Sequence, residues 1–216
     1  MKKLKRQYIA AIFMAIASLG LAREQSPGFY VSAIGSADFA RRVENSAMTQ
    51  KNGQGGALAV GYFLGGPIRI EAELGTHVFE NSRYYPAQIL TLPGYTGEDN
   101  GKSRHLSLMA NVFYDFPLND RWDFSLGVGV GLMRFSGSIS YQFIPLIYPP
   151  IPSTVAYYNI DRFAAQLLGG LTFHVTPRFA VTAGYRIAEV EKASFRYSPI
   201  NTGAFSSVEL GVRIRF

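Results

Sequence analysis

The chain has 216 residues, with 21 Lys+Arg against 15 Asp+Glu and no cysteine. That length holds one domain or one modest barrel. The lack of cysteine excludes structural disulfides, thiolate metal sites and a cysteine nucleophile.

Lys2, Lys3, Lys5 and Arg6 precede an apolar run from Tyr8 to Leu21, which ends in the small residues of Gly20-Leu21-Ala22. A basic start, a short apolar stretch and a small-residue end predict a secretory signal peptide over residues 1–22, cleaved to leave a mature domain of 23–216. The run is shorter than the ~20 residues a spanning helix needs. The four basic residues leave with it, so the mature chain carries 17 Lys+Arg against 15 acidic residues. No basic patch with interleaved aromatics remains, which excludes nucleic acid as a partner. No later apolar run reaches spanning length. If the exported chain crosses a membrane, it does so as a closed sheet, where every backbone N–H and C=O finds a partner.

Eight alternating segments follow. The first covers about 28–39. The second, 54–64, sends Gly56, Leu58, Val60, Tyr62 and Leu64 to one face. After Gly65-Gly66, the third, 67–79, turns Ile68, Ile70, Ala72, Leu74 and Val78 outward and Arg69, Glu71, Glu73 and His77 the other way. The fourth, 103–116, sets Leu106, Leu108, Ala110, Val112, Tyr114 and Phe116 against His105, Ser107, Met109, Asn111, Phe113 and Asp115. The fifth, 122 to about 141, presents Phe124, Leu126, Val128, Val130 and Leu132. The sixth, about 158–175, presents Phe163, Ala165, Leu167, Leu171, Phe173 and Val175. The seventh runs from 179 to about 197 and the eighth from 204 to 216.

The eighth carries the clearest pattern. Val208, Leu210, Val212, Ile214 and Phe216 share one face, with Glu209, Arg213 and Arg215 on the other. Alternation with period two marks a strand with an apolar and a polar side. Three charges on one face of an exported chain predict lipid outside and a polar lumen inside. The links alternate in length: 65–66, 117–121 and 176–178 are brief, whereas 40–53, 80–102 and 142–157 are long and 198–203 is intermediate. Short periplasmic turns and longer outer loops are the habit of transmembrane barrels, and eight strands put both termini inside. Aromatics gather at segment ends: Phe29 and Tyr30, Tyr62 and Phe63, Tyr114 and Phe116, Trp122 and Phe124, Phe173, Phe179 and Phe216. Rings at these positions suit the headgroup level.

On these grounds, an all-β, eight-stranded antiparallel up-and-down transmembrane barrel is expected. With its signal, its eight strands and its Val-x-Leu-x-Val-x-Ile-x-Phe ending, the chain resembles the small outer-membrane β-barrel superfamily. That group includes the outer-membrane protein A barrel domain, outer-membrane protein X and opacity-type surface antigens of Gram-negative bacteria. The resemblance implies residence in the cell outer membrane among its lipids. It also implies that Val208, Leu210, Val212, Ile214 and Phe216 form a signal read transiently by the barrel-assembly machinery.

An eight-stranded barrel is just wide enough for side chains to fill it. Arg69, Glu71, Glu73, Asp115, Arg162, Arg186, Glu209, Arg213 and Arg215 are assigned inward as a network of lumen charges. Unpaired buried charge is costly, so mixed signs suggest ion pairs that plug the lumen. A charged constriction that passes small ions is the alternative. The inward rows Gly127, Gly129, Gly131 and Ala57, Ala59, Gly61 would leave space, which Phe63, Met109, Phe113, Met133 and Phe135 could fill.

The two longest links are apolar, with Tyr84, Tyr85, Ile89, Leu90, Leu92 and Tyr95 in one and Ile144, Leu146, Ile147, Tyr148 and Ile151 in the other. Such patches either mark contact surfaces for an extracellular or host ligand or pack on each other. His105 and Ser107 loosely resemble the His-x-Ser pair of lipid A deacylases. The next residue is Leu108, not Asn, and the pair faces inward. No catalytic, metal or cofactor site is assigned, and His77 and His174 are expected to be satisfied lumen histidines. The expected function is structural or surface-contact, adhesin- or antigen-like, through the outer loops. A narrow porin-like channel comes second and a lipid-modifying enzyme a distant third.

Overall fold

The computed structural model describes residues 26–40, 48–84, 95–96, 102–143, 154–191 and 204–216. The proposed signal peptide lies outside them. Every element described is a strand: β1 (Gly28–Ala40), β2 (Met48–Phe63), β3 (Ile68–Tyr84), β4 (Tyr95–Thr96), β5 (Lys102–Pro117), β6 (Trp122–Phe143), β7 (Thr154–His174), β8 (Phe179–Val190) and β9 (Phe205–Arg215). All except β4 build the barrel wall, each antiparallel to its neighbours in chain order. β1 pairs with β9, from Tyr30 beside Arg215 to Ala40 beside Phe205, and the sheet closes with no free edge. Closure is what lets a sheet cross hydrocarbon, because an unpaired edge there would leave polar groups unsatisfied.

The three short turns share one end of the barrel, and local chemistry fixes each. Gly65 and Gly66 take φ values of 93° and 72°, which cost glycine nothing, and Leu64 N–H closes on Ile68 O at 3.0 Å. In the next turn, Asn119 Oδ1 accepts from the N–H groups of Arg121 and Trp122. Thr176 Oγ1 accepts from those of Arg178 and Phe179 in the third.

The barrel is inverted relative to a soluble protein. Leu210 is 66% exposed and its neighbour Glu209 8%. Leu58, Val60, Leu74, Leu108, Val128, Val130 and Leu167 are likewise exposed, while Glu73, Asn111 and Arg186 are buried. On β5 the exposed apolar positions run from Leu106 to Tyr114 and the exposed charges begin at Arg104 and Lys102. A strand of that length, tilted as in other transmembrane barrels, gives an apolar band of about 20–25 Å. Arg134 on β6, Asp161 on β7 and Glu189 on β8 bound the band at the same end, away from the short turns. At the short-turn end lies a girdle of rings: Phe29 on Tyr62, Tyr114 on Phe116 and Trp122 on Phe173, each pair within 5 Å.

Several boundaries differ from the sequence-based ones. β3 continues to Tyr84 and β7 begins at Thr154, because strands above the band are not limited by membrane thickness. The two-residue β4 pairs with the far end of β6, inside a stretch expected to be a loop. Val175 belongs to a turn rather than to a strand.

Candidate functional site

The polar faces of eight strands converge on the lumen, where side chains stack in layers. In the layer nearer the short turns, Arg69 Nε donates to both oxygens of Asp115 at 3.0 and 3.2 Å. Its other end donates to Tyr30 Oη at 2.7 Å and Glu71 Oε2 at 3.3 Å. The Tyr30 hydroxyl donates onward to Glu71 at 2.9 Å, and Ser125 donates to Asp115 at 2.6 Å. The Arg69 guanidinium lies 3.6 Å from the centre of the Phe113 ring. A charge buried this completely is tolerable only when its donors and acceptors are met, as these are.

The next layer centres on Arg186. It reaches Glu73 at 2.5 and 2.9 Å, Gln166 Oε1 at 2.9 Å and, as an ion pair at 2.6 Å, Glu209. Asn111 donates to Glu71 and Glu73 and accepts from Gln166, so it ties the two layers together. A cavity of about 60 Å³ lies against Arg69, Glu71, Glu73, Arg186, Glu209 and Arg213, room for a few water molecules.

Toward the long links the lumen turns apolar. Met109, Met133, Ala164 and Ala188 pack beneath Phe79, Phe135 and Phe205. His105 sits among these rings, 4.3 Å from Phe135 and 4.7 Å from Phe79. His77 Nδ1 contacts Asp38 at 2.8 Å, and Asp38 also accepts from Ser207 at 2.6 Å and Ser36 at 2.8 Å. Aromatic rings and a hydrogen-bonded carboxylate thus cap the barrel from inside.

Seven of the nine charges assigned to the lumen meet there: Arg69, Glu71, Glu73, Asp115, Arg186, Glu209 and Arg213. Arg213 takes part through the Tyr30 ring, 4.8 Å from its guanidinium, rather than through a carboxylate. Arg162 and Arg215 stand apart. Arg162 donates to the carbonyl of Asp161, and Arg215 to that of Ser26 while lying over Phe63. Tyr30, expected at the headgroup level, is fully buried in the lumen. Its parity with Ser32 was the available signal, since both point inward. The neutral linkers Asn111, Gln166 and Ser125 were not anticipated as members either.

The expected space along the small-residue rows is filled. A Cβ on Gly127 would enter the Phe113 ring, and one on Gly61 the Tyr30 ring. One on Gly129 would strike Asn111, and one on Gly131 would lie 2.8 Å from Met109 Sδ. Each of these glycines makes room for a side chain from the opposite strand.

His105 and Ser107 are buried inside the barrel, whereas Leu108 faces out, so the pair does not meet lipid. His174 is held by Asp123 at 2.6 Å. Among the described residues, no group of three or more His, Asp or Glu is placed to hold a metal. Tyr85, Ile89, Leu90, Leu92, Ile144, Leu146, Ile147, Tyr148 and Ile151 lie outside the described residues. Tyr84 and Tyr95 are described only as backbone, in β3 and β4. Val208, Leu210, Val212, Ile214 and Phe216 all face the lipid side of β9 or its end.

Over residues 8–216 the sequence matches the outer membrane protein beta-barrel domain, and the chain belongs to that family. Opacity protein opA68 of Neisseria gonorrhoeae is 27% identical over 192 residues, covering 74% of this chain and 77% of that protein. Neisserial surface protein A superposes with a TM-score of 0.57 at 20% identity, covering 89% of this chain and all of the other. A major outer membrane protein from Thermus thermophilus gives 0.59 at 14% identity, again over 89% and the whole. Both likenesses are of fold. The protein is an integral outer-membrane barrel.

Proposed function

We propose that this outer-membrane barrel is a closed, non-conducting support whose long links face the cell exterior and make surface contacts, as an adhesin or antigen does. The filled lumen carries the reading: two ion-pair layers around Arg69 and Arg186 lie in series with the cap of Phe79, Phe135 and Phe205. A hydrated ion would have to break both. With the lumen occupied by structure, the parts left to engage something else are the links and the outer wall. The links 85–94 and 144–153 are unusually apolar for surface segments, as contact surfaces often are. Export by cleavage after Ala22, and recognition of the strand ending in Phe216 by the barrel-assembly machinery, belong to the same reading.

Single-channel recording on the refolded mature chain, with folding verified by its heat-dependent gel shift, tests it. A silent bilayer is expected. Reproducible steps whose selectivity changes in Glu209→Gln or Arg213→Gln would instead establish a narrow channel. Shortening 85–94 and 144–153 should abolish adhesion of cells bearing the protein while the gel shift persists. Adhesion that survives both deletions would remove the links from the account.

A further inference from the structure

The lipid-facing wall is not electrically uniform where the apolar band ends. On the two adjacent strands β5 and β6, three cations point outward at that edge: Lys102, Arg104 and Arg134. Arg104 stands beside Ser136 in register and Leu106 beside Arg134. The two arginines are therefore diagonal neighbours on one face, with Cα atoms about 7–8 Å apart, close enough for both side chains to meet one group.

Their partners differ. Lys102 is opposite Glu80 on β3. Arg134 is paired with Asp161 through Nε and Nη2, at 2.7 and 3.0 Å, which leaves Nη1. Arg104 donates through Nε to the neutral Thr76 hydroxyl at 3.3 Å, and among the described residues no carboxylate pairs with it. Two guanidiniums this close repel, and only one is neutralised by protein. Directly below them the wall is a ledge of Leu106, Leu108, Val130 and Leu132.

We infer that Arg104 and Arg134, with Lys102 above, form a binding site for the phosphate of an acylated lipid of the outer leaflet, whose chains lie on that ledge. A guanidinium binds phosphate through two parallel N–H donors. The ledge commits the site to a lipid rather than to a soluble anion, because it contributes only if the phosphate carries acyl chains. The inference rests on the proposed orientation, with the long links outside. It does not depend on what those links contact.

The test is a titration of the refolded full chain, in neutral detergent micelles, with diphosphorylated lipid A, read as bound lipid by native mass spectrometry. The same acylated sugar without phosphates, and inorganic phosphate as competitor, form the other arms. Arg104→Gln touches only Thr76 in the described structure, so its gel shift should match the parent's. Its apparent affinity for the phosphorylated lipid should fall about ten-fold. Arg178→Gln, at the short-turn end, should bind as the parent does.

Equal affinity in Arg104→Gln and the parent would overturn the site. So would equal binding of the phosphate-free lipid, or displacement by inorganic phosphate at the lipid's own concentration. A barrel with both long links shortened should still bind the lipid, which separates this result from failure of the surface-contact reading.

Discussion

Arg186 on β8 and Glu73 on β3 meet across the width of the barrel, with two N–H groups on two oxygens at 2.5 and 2.9 Å. The strands they stand on are not neighbours in the wall, so this pair ties opposite sides of the lumen together. Glu209 completes the arrangement from a third strand.

Arg186→Met should cost about 3–5 kcal/mol, because it leaves Glu73 and Glu209 buried without their cation. Urea unfolding from lipid vesicles, followed through the fluorescence of the single tryptophan, Trp122, measures the loss. Adding Glu73→Gln and Glu209→Gln should recover much of it, since the remaining groups are then neutral.

Val130→Arg should cost about 2–4 kcal/mol in the same assay, the range for a cation near the membrane midplane. Val130 is exposed in the middle of the apolar stretch on β6. Ser136→Arg, at the edge of the band on the same face, should be nearly neutral. Equal stability for Val130→Arg and the parent would show that β6 faces the other way.

Gly127→Ala should destabilise by about 1–3 kcal/mol through overpacking, because the new methyl would occupy the space of the Phe113 ring. Phe113→Ala combined with it should be less damaging than the sum of the two changes, as expected for residues that share one space.

Removing one barrier should not open the lumen. Phe135→Ala with Phe205→Ala loosens the cap but leaves the Arg186 layer intact, so planar-bilayer recordings should remain silent. Conductance is expected only when Arg186→Ala, with Glu73→Gln, is added. Steps in the cap variant alone would locate the seal in the aromatic cluster.

Strand existence and facing were legible because each wall residue meets either lipid or lumen, and the two solvents demand opposite chemistry at successive positions. Val208 to Phe216 on β9 and Ile68 to Leu74 on β3 show this most clearly. Pairing was not legible. The sequence shows charges of both signs facing inward, but which carboxylate meets Arg186 depends on the register between strands far apart in the chain.

Tyr30 is ambiguous in the sequence for a related reason. An aromatic near a strand end fits either the headgroup girdle or the lumen, and only its parity beside Ser32 separates the two. The ends of β3 and β7 are hidden because nothing in the band pattern marks where a strand stops once it has left the membrane.

The seam between β1 and β9 imposes an order of events. Tyr30, near the start of the first strand, is held beside Arg215, at the end of the last one. No sub-barrel can close during synthesis or export, and until β9 arrives β1 offers a bare edge and an apolar face to any other chain. The polypeptide must therefore cross the periplasm unfolded and escorted. Its maturation is limited by when β9 emerges, and a truncation within that strand should yield an aggregating species rather than a smaller barrel.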